Sequence, residues 1–365
     1  MTQGPLAGLR VLELAGLGPA PFACALLADA GAEVVRIDRP GVPVEASDIL
    51  ARGRRSVALD LKRPADVQTA LALAARADLF VEGFRPGVIE RLGLGPDELL
   101  QRNPRLVIGR MTGWGQHGPL AADVGHDINY IALSGALASI GTAGGPPVPP
   151  LNLVGDFGGG AMLLLFGLLA ALHEARQSGR GQVVDAAMVD GSIALMGIFQ
   201  WMRSQGRWNG PRGGNWLDGG AHFYGCYACA DGRWLAVGAI EPAFYRALRD
   251  RLDLLDDALF DAQHDTLQWP QQKARLAAIF ATRDRDAWCK HFDGSDACVS
   301  PVLELDEVAA HPHNAARGAM HSAFGVPQPA PVPRFSRTPG ATGNAPRAPG
   351  ADHAAVLRDW LSPAP

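Results

Sequence analysis

Cysteine, surplus positive charge and long apolar runs are all scarce in this chain of 365 residues. Five cysteines make an odd set, too thin for a disulfide-stapled fold, and they favour a reducing cytoplasm. Cys226 and Cys229 form a lone CxxC; a zinc site needs a second pair of ligands, none stands at suitable spacing, and no metal is expected. Lys and Arg number 33 against 37 Asp and Glu, a formal net charge of −4. That balance argues against a general affinity for nucleic acid or anionic membrane, so a polyanionic ligand must be held by a local basic cluster. The longest uncharged apolar run, Phe157 to Leu172, has 16 residues and is rich in glycine. A membrane span wants about 20. Flanked by Asp156 and His173, the run reads as a buried helix of a soluble protein. Arg10 and Glu13 interrupt the first apolar segment, so no signal peptide is read there.

What is present is enough hydrophobic sequence, 47%, for two domains with real cores. Up to about residue 200, short β-rich runs alternate with helical ones: "LRVLELA" (9–15), "EVVRI" (33–37), "SVALDL" (56–61), "DLFVE" (78–82) and "RLVIGRM" (105–111). That alternation predicts an α/β fold, an open parallel sheet covered by helices. A Gly-, Trp- and Arg-rich connector (203–220) leads to a smaller region with a hairpin turning at Asp231-Gly232 and helices near 242–252 and 270–281. A strand at "CVSPVLEL", a Pro-rich arm (326–350) and a short helical tail complete the chain.

Several motifs could carry chemistry. Gly16 and Gly18 match two glycines of a dinucleotide fingerprint, and Asp38 stands where a ribose-binding acid would; Pro21 occupies the third glycine position and weakens that reading. A basic set recurs near strand ends: Arg39, then Arg52, Arg54 and Arg55, then Lys62, Arg85 and Arg91. From spacing alone it is equally a phosphate cradle or a solvated face. Asp156 precedes three glycines, an N-cap position whose weak helix start makes sense if a ligand approaches the backbone. Glu241 precedes Pro242 at a strand-to-helix junction. In "GHDINYIALSGALASI", Asp127 reads as the N-cap of a helix stopped by Gly141, with His126 just before it. A neutral imidazole there is a base, and the free N–H groups of the first turn can hold an oxyanion. A structural role for the pair is equally open on these residues alone.

The blocks "GHDINYIALSG", "PPLNLVGDFGGG", "GQVVDAAMVDG", "VGAIEPAFY" and "FDGSDACVSPVL" together resemble the α-methylacyl-CoA racemases of the family III CoA-transferase superfamily. The likeness runs from "GPLAGLRVLELAG" to about "PRFSRTP", nearly the whole chain. It implies a Rossmann-like large domain, a small α+β domain and an interlocked homodimer. The implied division is a large domain over 1–200, a linker over 201–221, a small domain over 222–310, and a return of 311–365 to the large domain. It implies His126 and Asp156 as the two bases, Glu241 as an acid paired with the histidine, and Asp127 as the residue whose backbone N–H meets the thioester oxygen. For CoA it implies Arg39, the stretch Leu59, Asp60, Leu61 and Lys62, then Gly83, Phe84 and Arg85, with Arg91, Gly125 and Tyr130. The implied reaction inverts C2 of a 2-methylacyl-CoA and needs no cofactor beyond the CoA moiety. The rival within the superfamily is a CoA-transferase with Asp127 as nucleophile.

Overall fold

The computed structural model describes residues 4–362 and divides into two compact units. The first comprises the chain up to Ser134, Leu151–Leu195 and the chain from Pro312; the second comprises Gly135–Pro150 and Met196–His311. The segment Gly135–Pro150, which the sequence reading kept in the large domain, thus clusters with the second unit.

Six parallel strands form the centre of the first unit: β1 (Arg10–Leu14), β2 (Glu33–Asp38), β3 (Arg54–Ala58), β4 (Leu79–Glu82), β5 (Val107–Thr112) and β6 (Val183–Ala187). Their order is β3-β2-β1-β4-β5-β6. Val-, Leu- and Ile-rich runs suit strands buried on both faces, and β4 and β5 are buried at every position. Around them lie α1 (Pro19–Asp29), α2 (Pro64–Ala74), α3 (Val88–Arg91), α4 (Pro96–Arg102), α5 (Asp127–Ser134), α7 (Met162–Ser178), α8 (Met188–Leu195), α13 (Pro312–Ala316) and α14 (His353–Leu361). One core joins Leu9, Val11, Leu27 and Leu168; the other joins Leu12, Val35, Leu73, Phe80 and Trp360. Trp360 brings the C-terminal helix into that second core, and its indole donates to Glu33 at 2.9 Å. The Pro-rich arm opens with β11 (Val326–Pro329), which pairs antiparallel with β10 (Met320–Ala323) just before it.

A buried ion pair locks the segment that follows β1. Arg54 donates to Glu13 at 3.0 Å, with both side chains almost wholly inaccessible. The same guanidinium caps the carbonyls of Leu50, Arg52 and Pro21. Truncating Arg54 to alanine leaves the Glu13 carboxylate buried without its partner, and we expect a loss of about 3–5 kcal/mol, read from urea unfolding.

The run after Asp156 departs from expectation. Leu153–Ala161 forms a π-helix that passes directly into α7, so Asp156 lies inside it and is no N-cap. The π-helix crosses α8 closely: a Cβ on Gly159 would fall 2.7 Å from the Ser192 nitrogen, so only glycine fits there. The apolar helix is also not buried all round. Leu164, Leu168 and Ala171 pack on the sheet, whereas Leu163, Phe166 and Leu169 are exposed. Leu153–Ser178 is the one helix, among the described residues, long and apolar enough to cross a membrane by length and composition.

The second unit holds α6 (Ala136–Ser139), α9 (Gly197–Ser204), α10 (Pro242–Arg251), α11 (Trp269–Phe280) and α12 (Arg285–Phe292). Its antiparallel sheet orders β7 (Tyr224–Ala228), β8 (Trp234–Gly238) and β9 (Val299–Pro301) as β7-β8-β9. The connector expected to be irregular begins with α9 and is then tied by Asp218 and Asn215, which bond at 2.8 Å. Cys226 is exposed and Cys229 buried, and no disulfide joins any of the five cysteines.

Candidate active site

The strand order reverses between β1 and β4, the crevice where open parallel sheets bind ligands beyond their carboxyl ends. Leu17, after β1, and Gly83, Phe84 and Arg85, after β4, line a cavity of about 560 Å³ there. Gly125, His126 and Tyr130 close its far wall. A second hollow of about 470 Å³ is lined by Arg39, Leu59, Asp60, Leu61 and Lys62. Phe84 lines both hollows.

The basic residues sort by partner. Arg52 pairs with Asp29, Arg54 with Glu13, and Arg55 with Glu33 and Asp359, so these three hold the fold. Arg39, Lys62 and Arg85 are exposed and form no ion pair among the described residues. Arg91 lies on α3 with its guanidinium against Gly87, and lines neither hollow. Asp38 is engaged by Arg36 at 2.8 Å and Ser56 at 2.5 Å, which leaves no free ribose-binding acid there.

His126, not Asp127, takes the N-cap position of α5. The His126 carbonyl accepts from the N–H groups of Asn129 and Tyr130, while Asn129 Oδ1 accepts the His126 N–H at 3.0 Å. This reciprocal cap holds the backbone and leaves the imidazole exposed at the cavity. Asp127 therefore opens the helix, and its side chain turns inward, 8% exposed. Its Oδ1 accepts the Asp156 N–H at 2.7 Å. Burial pushes the Asp127 carboxyl upward, opposed by that hydrogen bond. Asp156 itself is half-buried: Asn152 donates to its Oδ2 at 3.1 Å, and Gly18 borders the same oxygen.

Tyr130 is buried, and its hydroxyl donates to the Gly125 carbonyl. Burial, then the charges of Asp156 and Asp127, pushes its phenol upward. Glu241 is an exposed residue of the second unit, at the N-cap of α10. Sequence reasoning missed two residues at the cavity's lip, Leu17 and Val124, which are 95% and 75% exposed. A leucine inside a Gly-Pro turn was the signal for the first.

The model of CoA-transferase family III matches residues 6–353. The chain belongs to that family. This family III chain is 48% identical to α-methylacyl-CoA racemase of Mus musculus over 358 residues, 97% of this chain and 93% of the mouse protein. To the Homo sapiens α-methylacyl-CoA racemase it is 46% identical over 344 residues, 92% of this chain and 90% of the human one. The crystal structure of a CAIB/BAIF family protein from Brucella suis shares the fold, with a TM-score of 0.83 at 22% identity, covering 98% of this chain and 100% of that one. The family III fold is thus a mixed α/β one with a parallel six-stranded sheet.

Proposed function

We propose that this protein is an α-methylacyl-CoA racemase, inverting C2 of 2-methylacyl-CoA thioesters by two-base proton transfer. The observation that carries this over the transferase reading is the state of the His126-Asp127 pair. His126 lines the cavity, whereas the Asp127 carboxylate is buried, does not line it, and accepts the Asp156 N–H through Oδ1. A nucleophile needs the opposite arrangement.

One of His126 and Asp156 removes the α-proton; the C–H electron pair moves into the carbonyl, forming an enolate. Amide N–H groups at the start of α5 have no acceptor within the helix and stabilise the oxyanion. The other base then returns a proton to the opposite face, and the carbonyl re-forms. The reaction needs no cofactor beyond the CoA moiety. Arg39, Lys62 and Arg85 hold the CoA phosphates, and Leu59 to Leu61 and Phe84 line its path. The test is one enantiomer of a 2-methylacyl-CoA in D₂O without acceptor acid, followed by NMR. Deuterium entry at C2 with loss of chirality, absent from a His126→Ala, Asp156→Ala double variant, supports the racemase. No exchange, with acyl transfer once a free acid is added, makes it a transferase.

Each basic side chain of the CoA hollow contributes charge-assisted contacts alike in ground and transition states. Lys62→Ala and Arg39→Ala are therefore expected to raise KM about 10–100-fold with kcat nearly unchanged. Steady-state kinetics checks this split.

The exposed apolar faces of α7 (Leu163, Phe166) and α8 (Ile193, Leu195) are, in this reading, covered by a second copy in an interlocked homodimer. Sedimentation equilibrium tests it, a monomer at micromolar concentration counting against it. Five thiols free of disulfides suit a cytoplasmic location.

A further inference from the structure

We infer that α5 is the spacer that fixes the two bases relative to each other, Tyr130 holding His126 and Asp127 holding Asp156. The inference rests on the racemase reading and assigns positioning roles within it. Residues three apart share a helix face, and on α5 these two side chains are buried together with Ile131 and Ser134, at 7% and 8% exposed.

Tyr130 acts on one side. Its hydroxyl donates to the carbonyl of Gly125, the residue just before His126. Its ring meets Trp114 edge-on at 4.8 Å, and a Cβ on Gly125 would come within 2.8 Å of it. The strand of chain that presents His126 is thus pressed flat between an aromatic ring and the reciprocal cap with Asn129. The Tyr130 hydroxyl, assigned to CoA contact on resemblance, is engaged within the protein.

Asp127 acts on the other side. Its Oδ1 takes the N–H of Asp156 across 29 residues of sequence. The N–H so bound lies in the π-helix, where backbone bonding is irregular and a fixed register needs an outside hold. A mechanism with a base on either face of one carbon needs both faces held within a few tenths of an ångström, since an error of about 1 Å costs about a hundredfold. One rigid helix gripping both segments meets that need.

The two grips predict opposite stereochemical defects. Reference variants His126→Ala and Asp156→Ala first identify which enantiomer surrenders its α-proton to which base, by exchange in D₂O. Tyr130→Phe removes one oxygen and keeps the ring. Proton removal from the His126-facing enantiomer then falls about 10–100-fold, while the other enantiomer still exchanges, now mostly with retained configuration. Asp127→Ala gives the mirror-image defect. Urea midpoints are measured on both variants. If either variant slows both enantiomers equally, or neither variant slows either, the spacer role is wrong although the racemase stands. If the wild-type protein exchanges neither enantiomer, the racemase reading itself has failed.

Discussion

His126→Ala is expected to lower the rate of 2-methylacyl-CoA racemisation by a factor of about 10²–10⁴, and Asp156→Ala by a similar factor. The loss corresponds to roughly 3–5 kcal/mol of transition-state stabilisation for each base. The double variant falls only a little below either single one. In the proposed two-base mechanism every inversion uses both groups, one to take the proton and one to give it back, so removing the first would already stall the sequence and leave the second deletion little to remove. Independent contributions would multiply instead, toward a combined factor of about 10⁴–10⁸. Racemisation followed by polarimetry on the three variants separates these cases. Multiplicative losses would mean that the two residues do not act in series on one carbon. The α5 amides proposed to hold the oxyanion are backbone groups and survive all three substitutions, so the residual rate would measure their share.

How much of this was legible beforehand depends on where each determinant lies in the chain. Five of the six central strands stand out because each is a compact apolar run, and the reversal of strand order places the crevice. β6 escaped the strand series: Val183 and Asp185 are exposed, and no uniform apolar run marks it. The helix read from Asp127 to Ile140 ends instead at Gly135, which takes a left-handed φ of 84°. A glycine inside an apolar helical run does not declare that choice. The N-cap fell one residue earlier than expected because the deciding contact is the side chain of Asn129, and histidine is an unusual cap. The inward turn of Asp127 depends on a backbone N–H 29 residues away, and the need for glycine at 159 on the crossing with α8. Neither is a local property. The basic cluster was ambiguous from spacing; Asp29, Glu13 and Glu33, none adjacent in sequence, separate its structural arginines from Arg39, Lys62 and Arg85.

Acid is expected to destabilise the second unit through His222, a residue that no sequence pattern marks. The imidazole is completely buried, with the rings of Phe223, Tyr245 and Phe260 at 5.2, 5.4 and 5.7 Å. The Tyr245 hydroxyl donates to the Phe260 carbonyl at 3.0 Å and lies 2.8 Å from His222 Nε2. With that hydroxyl hydrogen committed, Nε2 must be the donor, and the proton of the neutral ring sits there. Nδ1 is then the site that a second proton would occupy, and it is buried with no partner. Burial, with a smaller contribution from His264, pushes the imidazole down from 6.5 to about 3. The folded state therefore binds fewer protons than the unfolded chain between those values, so the contribution is fully present above pH 6.5 and is lost as pH falls towards 3. Each pH unit in that window costs about 1.4 kcal/mol, roughly 4–5 kcal/mol in all. His222→Phe keeps an aromatic ring, leaves the Tyr245 hydroxyl its Phe260 acceptor, and cannot be protonated. Its stability relative to the wild type should thus improve by about 4 kcal/mol between pH 6.5 and pH 3, measured by urea unfolding with the fluorescence of Trp269 and Trp288, which lie in the same core. Parallel curves would exclude His222 as the acid-sensitive group. The chain next to it is tied to the start of α10: Phe223 accepts the Ala239 N–H at 2.9 Å, two residues before Glu241. Loss of order around a protonated His222 is therefore expected to reach the start of α10 and Glu241.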